Sequence, residues 1–292
     1  MANLTRPFKS MLVYIDTNIF IDFYQSATDR LDAFNEIIAR ASQVVLPEQT
    51  VNEFHRNRVG CLATLLEKIE KNAKPSLHTV AAVRDLPEFQ QWKALSEQAH
   101  QSAMKIAEIV KRWMNEPTED QVLQAFDQLA SLAQRHPITG DLIKRARCRK
   151  LLGDPPTSPD KHTVGDELIW ETLLANVRDD LLVVSRDRTF LTNASLLQSE
   201  FQSSTGSRLV LITDKLSTAF RELNAPATAI EKAEKSVESA RDRKEDQEFG
   251  QRTGICPRCK HPLSETGLDA SDAGPDVWWL YCPNCQYEVF PE

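Results

Sequence analysis

Leu12-Val13-Tyr14-Ile15-Asp16-Thr17-Asn18-Ile19-Phe20 is the stretch on which the fold turns. Its first residues are apolar and β-prone, which predicts a buried strand over residues 11–16. A carboxylate closes that strand, and charge in such a place is costly unless something uses it. Ile19, Phe20, Phe23 and Tyr24 then recur at helical spacing, so a short helix follows the Asp-Thr-Asn turn. Residues 43–46 read as a second strand, and Pro47 opens the helix that carries Glu53. Leu181 to Ser185 and Arg208 to Thr213 supply a third and a fourth strand, with Asp214 capping a last helix through Leu223. Strands alternating with helices imply right-handed crossovers and a mainly parallel sheet, with sites beyond the carboxyl ends of the strands. Asp16 and Asp187 both stand at that end, so topology alone brings them together.

Two further acids stand in similar settings: Glu53 in TVNEFHRNR and Asp166 in VGDELIWETLL, beside Asp187 in LLVVSRDRTF. Asp166, Ile169, Trp170, Leu173, Leu174 and Val177 fall on one continuous helical face, which turns Asp166 toward the core and leaves Glu167 as the surface acid. Four converging carboxylates make a site for a hard divalent cation. Taken singly, Asp16 and Asp187 are equally helix caps, Glu53 a solvated helix acid, and Asp166 a first-turn acid favoured by the helix dipole.

The order of these acids, with the DTN turn, the EF-x-RNR helix and the GD-x-x-IWE helix, resembles the PIN-domain nucleases over most of residues 10–222. The resemblance implies a PIN-like, Rossmann-like α/β fold and a divalent-metal-dependent nuclease, an endoribonuclease in preference to a DNA-cutting enzyme. It assigns Asp16, Glu53, Asp166 and Asp187 to the acidic positions, and Asn18 and Ser185 to polar positions that orient them. Asp16, Asp166 and Asp187 are expected to anchor Mg²⁺ or Mn²⁺, with Glu53 binding through water or assisting a second ion.

Phosphate contacts are expected from Arg56 and Arg58 just beyond Glu53, from Arg186 beside Asp187, and from Arg145 in the basic helix 141–152, which also holds Lys144, Arg147, Arg149 and Lys150. The competing reading of that basic run is a solvated face paired with neighbouring acids. His55 and His162 read as ordinary polar residues, because a hard-cation site does not call for imidazole. Asp22 and Glu171 stay outside the predicted site, explained equally well as exposed helix acids.

The chain has 292 residues, 41% hydrophobic and 26% charged, the composition of a globular protein long enough for one sizeable domain and a small one. No apolar stretch reaches membrane-spanning length and the N-terminus lacks a signal-peptide core, so no membrane contact and a cytoplasmic location are expected. A formal charge of −7 argues against a uniformly basic nucleic-acid binder while allowing a local basic patch. The organisation expected is a nuclease domain over 1–223 with a helical insertion at 59–135, a charged helix or tether at 224–252, and a zinc ribbon over 253–292.

That last module rests on two Cys-Pro-x-Cys turns, Cys256 to Cys259 and Cys282 to Cys285, separated by 22 residues. Each provides half of a tetrahedral Zn²⁺ site, and four thiolates close it, so the ion is structural. A disulfide framework is disfavoured by the expected reducing compartment. Cys61 and Cys148 stand alone in helical contexts and read as buried or neutral thiols. Nucleic acid, RNA by the resemblance, is the expected partner of the whole chain, with the ribbon recruiting RNA or a protein. Competing readings are a non-catalytic nucleic-acid or protein-binding adaptor, and a nuclease of single-stranded or flap DNA.

Overall fold

The computed structural model of the chain describes residues 10–25, 31–73, 83–158, 162–268 and 277–289. Its centre is a five-stranded sheet of β1 (Met11–Ile15), β2 (Val44–Pro47), β3 (Gln134–His136), β4 (Asp180–Val184) and β5 (Leu209–Thr213). The spatial order is β3-β2-β1-β4-β5, and every neighbouring pair runs parallel. Helices cover both faces, which is why β1 and β4 are apolar almost throughout instead of alternating with polar residues.

The two-residue period of the strands divides the core cleanly. Val13, Ile15, Val44, Leu46, Leu182 and Val184 point to one side. There they meet α1 (Thr17–Gln25), α2 (Leu31–Ile38), the start of α3 (Glu48–Asn72), α5 (Gln121–Leu132), α10 (Leu216–Glu222) and the first turns of α11 (Thr228–Thr253). Leu12, Tyr14, Val45, Leu181 and Val183 point to the other, against α7 (Gly165–Asn176), α8 (Arg188–Thr192) and α9 (Ala194–Thr205). In-register pairing of Val13 with Val44 and with Leu182 keeps like faces together across the sheet.

Two features of the stretch 59–135 were not legible beforehand. Its last helix, α5, belongs to the core: Phe126 stacks on Phe54 at 3.7 Å and meets Phe20 edge-on at 5.1 Å. Each fully buried ring contributes roughly 1.5–3 kcal/mol through burial. At its end lies β3, a strand the sequence reading lacked. The rest of the stretch holds the outer turns of α3 and a long helix, α4 (Pro87–Asn115). The basic segment forms α6 (Gly140–Leu152), closed by Gly153 at φ 76°.

The chain divides into two compact units, one drawn from Met1–Leu66 and Val110–Glu234, the other from Glu67–Ile109 and Lys235–Glu292. The charged stretch that could have been helix or tether is helical, as α11. Beyond it, β6 (Ser264–Leu268), β7 (Val277–Tyr281) and β8 (Glu288–Val289) form a small antiparallel sheet in the order β6-β7-β8. No helix among the described residues is long and apolar enough to cross a membrane.

Candidate active site

The chain leaves β1 toward β2 and β3 on one side, then returns to β4 on the other. The crevice beyond the carboxyl ends of β1 and β4 is therefore the topological switch point, where open α/β sheets bind ligands. Asp16 and Ser185 are the first residues after those two strands, and they sit side by side: the Asp16 N–H donates to the Val184 carbonyl at 2.9 Å, extending the ladder by one step. Asp16 is 6% exposed and Ser185 fully buried.

Four donors converge on the Asp16 carboxylate. Ser185 Oγ and Asn18 Nδ2 donate to Oδ2 at 2.5 and 2.6 Å, while the Thr17 N–H and Tyr14 OH donate to Oδ1 at 2.7 and 3.2 Å. These fill the lone-pair sites of a carboxylate, so a cation bound here takes the place of one of them. Despite four donors, burial pushes the Asp16 carboxyl up to about 6; Ser185 opposes the rise, and the charges of Asp166 and Glu53 add to it. Burial likewise raises Glu53, against its bond from Gln49 and with the charge of Asp166, and raises Tyr14 well above the ordinary tyrosine range, with Asp16 adding to the effect.

Glu53 reaches this point from α3, one turn after Gln49, whose Nε2 donates to its Oε1 at 2.7 Å; Thr17 Oγ1 donates to Oε2 at 3.4 Å. The first turn of α7 lies against Glu53 at Gly165. A Cβ added to Gly165 would lie 2.3 Å from Glu53 Oε1, so glycine at this position is what lets Glu53 come close to Asp166. Asp187 is tied in through its backbone, with its N–H donating to Ser185 Oγ at 3.0 Å. Its Oδ1 caps α8, accepting from the N–H and Oγ1 of Thr189, each at 2.8 Å.

Asp16, Glu53 and Asp166 thus share one electrostatic field, Asn18 and Ser185 touch Asp16 directly, and Asp187 joins them through Ser185. Among the described residues, only the cysteine quartet below gathers three or more ligand atoms within 4.8 Å of one another. The four acids do not gather that closely. Mg²⁺ retains several waters, so a few spaced carboxylates suit it. An all-oxygen set holding more buried negative charge than its own donors offset fits a hard divalent ion. Tyr14, Thr17, Gln49 and Gly165 escaped the sequence reading. The strand period that sets Tyr14 on the same side as Asp16 was the available signal for the first.

The basic residues separate. Arg56 is 65% exposed at its side chain and 3.9 Å from Glu53. Arg186 is half-exposed, its guanidinium is paired with Asp22, and its N–H donates to Asn18 Oδ1 at 3.4 Å. Arg145 lies exposed on α6 and is bridged to Asp141 at 2.9 Å. Arg58 corrects the expectation of a phosphate contact: it is 5% exposed, bonded to Asp120 Oδ2 at 2.7 Å and to the Trp113 carbonyl at 2.6 Å. It lies on the inner stripe of α3 with Phe54 and Leu62.

Glu167 is a second correction. It is 1% exposed, accepting from Thr157 Oγ1 at 2.5 Å and paired with Lys150 at 3.3 Å, because α7 is buried from Glu167 through Leu174. Glu171 is no exposed helix acid either, since Arg149 holds it at 2.7 Å within a cluster that includes Glu200. His55 faces Asp127 at 3.7 Å, and His162 is exposed.

The four cysteines form a separate centre. Cys256 and Cys285 Sγ are 3.5 Å apart, Cys259 and Cys282 Sγ 3.4 Å, and all four lie within 4.8 Å of one another. The two turns are built alike. Lys260 N–H and Gln286 N–H close them onto the carbonyls of Cys256 and Cys282 at 2.9 and 2.8 Å, and both residues take positive φ, 60° and 58°. Four convergent sulfurs on matched turns suit a tetrahedral metal ion. The Arg258 guanidinium lies 4.4 Å over the Tyr287 ring, which braces one turn against the strand leaving the other.

The family profile described as PIN domain matches residues 13–190, more than half of the chain, and all four acids together with Asn18 and Ser185 fall inside the match. Comparison with curated proteins and with solved structures gave no match.

Proposed function

The chain belongs to the PIN domain family, a family of metal-dependent nucleases, and on that premise we propose that it hydrolyses phosphodiester bonds within RNA at the β1/β4 crevice. The observation that carries the reading is Asp16: a buried carboxylate at the switch point, held by four donors and still pushed up to about 6 by burial and by the acids facing it. Such a group is poised to exchange a proton for a cation. In this reading Asp16, Asp166 and Asp187 hold Mg²⁺ or Mn²⁺ and Glu53 completes the set. The ion supplies neutralisation of the added charge on phosphorus and a water made nucleophilic.

The chain's own residues do the positioning. Ser185 and Asn18 fix the plane of the Asp16 carboxylate, and Ser185 links it to the Asp187 backbone, which ties the two strand ends together. Gln49 and Thr17 hold Glu53 against Gly165. Arg56 and Arg186, both exposed to some degree, offer positive charge at the lip for the phosphates of the strand. The cysteine quartet is proposed to bind Zn²⁺ as a structural ion, in a ribbon that helps hold RNA or a protein partner.

Incubating the purified chain with total RNA and with single-stranded DNA in Mg²⁺ or Mn²⁺, then sequencing the cut ends, tests the substrate class. Internal cuts in RNA with DNA left whole support the reading. Cuts confined to DNA would replace its substrate, and an absence of cutting in either would favour a binding adaptor.

A further inference from the structure

Four donors meet the Asp16 carboxylate, and a bound cation must take the place of one of them. Three of these are held in place. The Thr17 N–H is main chain, fixed at the start of α1. Asn18 donates at 2.6 Å while its Oδ1 accepts from the Arg186 N–H at 3.4 Å, and Ser185 Oγ donates at 2.5 Å while accepting from the Asp187 N–H at 3.0 Å. Turning either away would strand the partner on its far side. Tyr14 makes the longest of the four bonds, 3.2 Å, through a hydroxyl that rotates to suit its neighbours.

The surroundings give that hydroxyl a second place to point. Tyr14 is fully buried, its ring in the core cluster with Val45, Ile169 and Trp170, where phenylalanine would fill the same space. A buried hydroxyl costs free energy unless it is bonded, and this one has two partners. Beside Asp16, the other is Thr50 Oγ1 at 3.4 Å, on a residue that is also fully buried. Thr50 lies one helical turn before Glu53 on α3, and its carbonyl and the Glu53 carboxylate share the Thr17 hydroxyl at 3.5 and 3.4 Å. The hydroxyls of Tyr14, Thr50 and Thr17 thus join Asp16, at the end of β1, to the helix that carries Glu53.

We propose that Tyr14 is a positioning residue with a releasable bond: it holds Oδ1 of Asp16 in the metal-free state and yields that lone pair to the divalent cation, its O–H turning to Thr50 Oγ1. The inference rests on the metal-site reading and names the donor that the ion displaces. An interaction changes affinity only when it differs between the free and bound states. Ser185 and Asn18 bond Asp16 in both, so they orient it. Tyr14 bonds it only in the free state and so opposes the ion, whereas Thr50 receives the released O–H only in the bound state and so favours the ion.

The test is calorimetric titration of Mn²⁺ at pH 8 into the native chain, Tyr14→Phe, Thr50→Val and the double variant, with thermal unfolding in Mn²⁺-free buffer checking that each is folded. Tyr14→Phe should bind Mn²⁺ about three- to tenfold tighter, because no bond need break. Thr50→Val should bind it at least about fivefold weaker, because the released O–H finds no acceptor. The double variant should match Tyr14→Phe, since without the phenol hydroxyl Thr50 has nothing to receive. The Cζ signal of Tyr14, one of four tyrosines and assigned by its loss in Tyr14→Phe, should move on addition of Mg²⁺. Weaker or unchanged binding in Tyr14→Phe, the outcome for a tyrosine that only fills space, overturns the proposal and leaves the metal site standing. Tighter binding in Ser185→Ala as well would mean that loss of any donor suffices, and would also overturn it. Should Tyr14→Phe fail to fold, native-level affinity in Thr50→Val overturns it instead. A native chain that takes up no Mn²⁺ removes the metal site, and this proposal with it.

Discussion

Replacing Asp16 by asparagine should stabilise the protein while destroying the proposed metal site, an outcome opposite in sign to that of an ordinary buried substitution. Folding raises this carboxyl from 3.8 to about 6, chiefly by burial. The folded state therefore holds the proton more tightly than the unfolded chain. The group's favourable contribution is fully present below pH 4 and is lost as pH rises through about 6. The gap is worth ~3 kcal/mol at about 1.36 kcal/mol per pH unit. Asparagine carries no charge and so escapes that cost, but its amide NH₂ meets a ring of donors, Ser185, Asn18, Thr17 and Tyr14, of which only the hydroxyls can turn to accept. That mismatch offsets about 1–2 kcal/mol. A net gain of about 1–2 kcal/mol is expected at pH 7.5.

The assay is urea unfolding from pH 4.5 to 8 after gel filtration into Mg²⁺-free buffer, which spares a thiolate-bound ion. The native chain should lose stability with rising pH up to about 6.5, and Asp16→Asn should show a shallower slope. Glu53 is raised too, so part of the slope persists in the variant. A native chain with no such slope, together with a variant less stable at pH 7.5, would refute the reasoning that Asp16 is a charge in need of a cation.

Mn²⁺ should raise the melting temperature more at pH 7.5 than at pH 5.5, because protons compete for the same carboxylates; at a hundredfold excess over Kd the stabilisation is about 2.7 kcal/mol. An equal or larger effect at the lower pH would place the ion elsewhere. Gly165→Ala should leave the fold intact but drive Glu53 from its place, lowering kcat by about ten- to a hundredfold in a nuclease assay; unchanged turnover would show that Glu53 is dispensable. Arg58→Ala should cost about 3–5 kcal/mol in denaturant titration by stranding buried Asp120, whereas Arg56→Ala should weaken RNA binding with stability unchanged. Cys256→Ser should take the metal content, measured by mass spectrometry, from one thiolate-bound ion per chain to none and melt the ribbon; retention of the ion would mean that the quartet is not its site.

What could be read from sequence was the part set by local period. The apolar runs before Asp16 and Ser185 read as two strands, and the rule for parallel sheets joins their carboxyl ends from sequence alone. β3 escaped because Gln134, Arg135 and His136 are polar and largely exposed; their pairing with Val45, Leu46 and Pro47 comes from the fold and not from their own pattern. Arg56 and Arg58 look interchangeable in the RNR motif, yet one lies outward and one inward. The spacing of Phe54, Arg58 and Leu62 held that signal, but the acid that makes burial tolerable, Asp120, is 62 residues away. Glu167 misled for a related reason. A single-face reading of α7 assumes one open side, and that helix is enclosed nearly all round. The closeness of Gly165 to Glu53 is likewise tertiary, invisible until α3 and α7 are set side by side.

The central claim is that the β1/β4 crevice holds a hard divalent ion on carboxylate oxygens. Crystals soaked in Mn²⁺ and measured at the manganese absorption edge test this directly. An anomalous peak within about 2.0–2.6 Å of an Asp16 oxygen and facing Asp166 and Asp187 is the expected result. A crevice left without a peak at saturating Mn²⁺, with the same carboxylates intact, would contradict it.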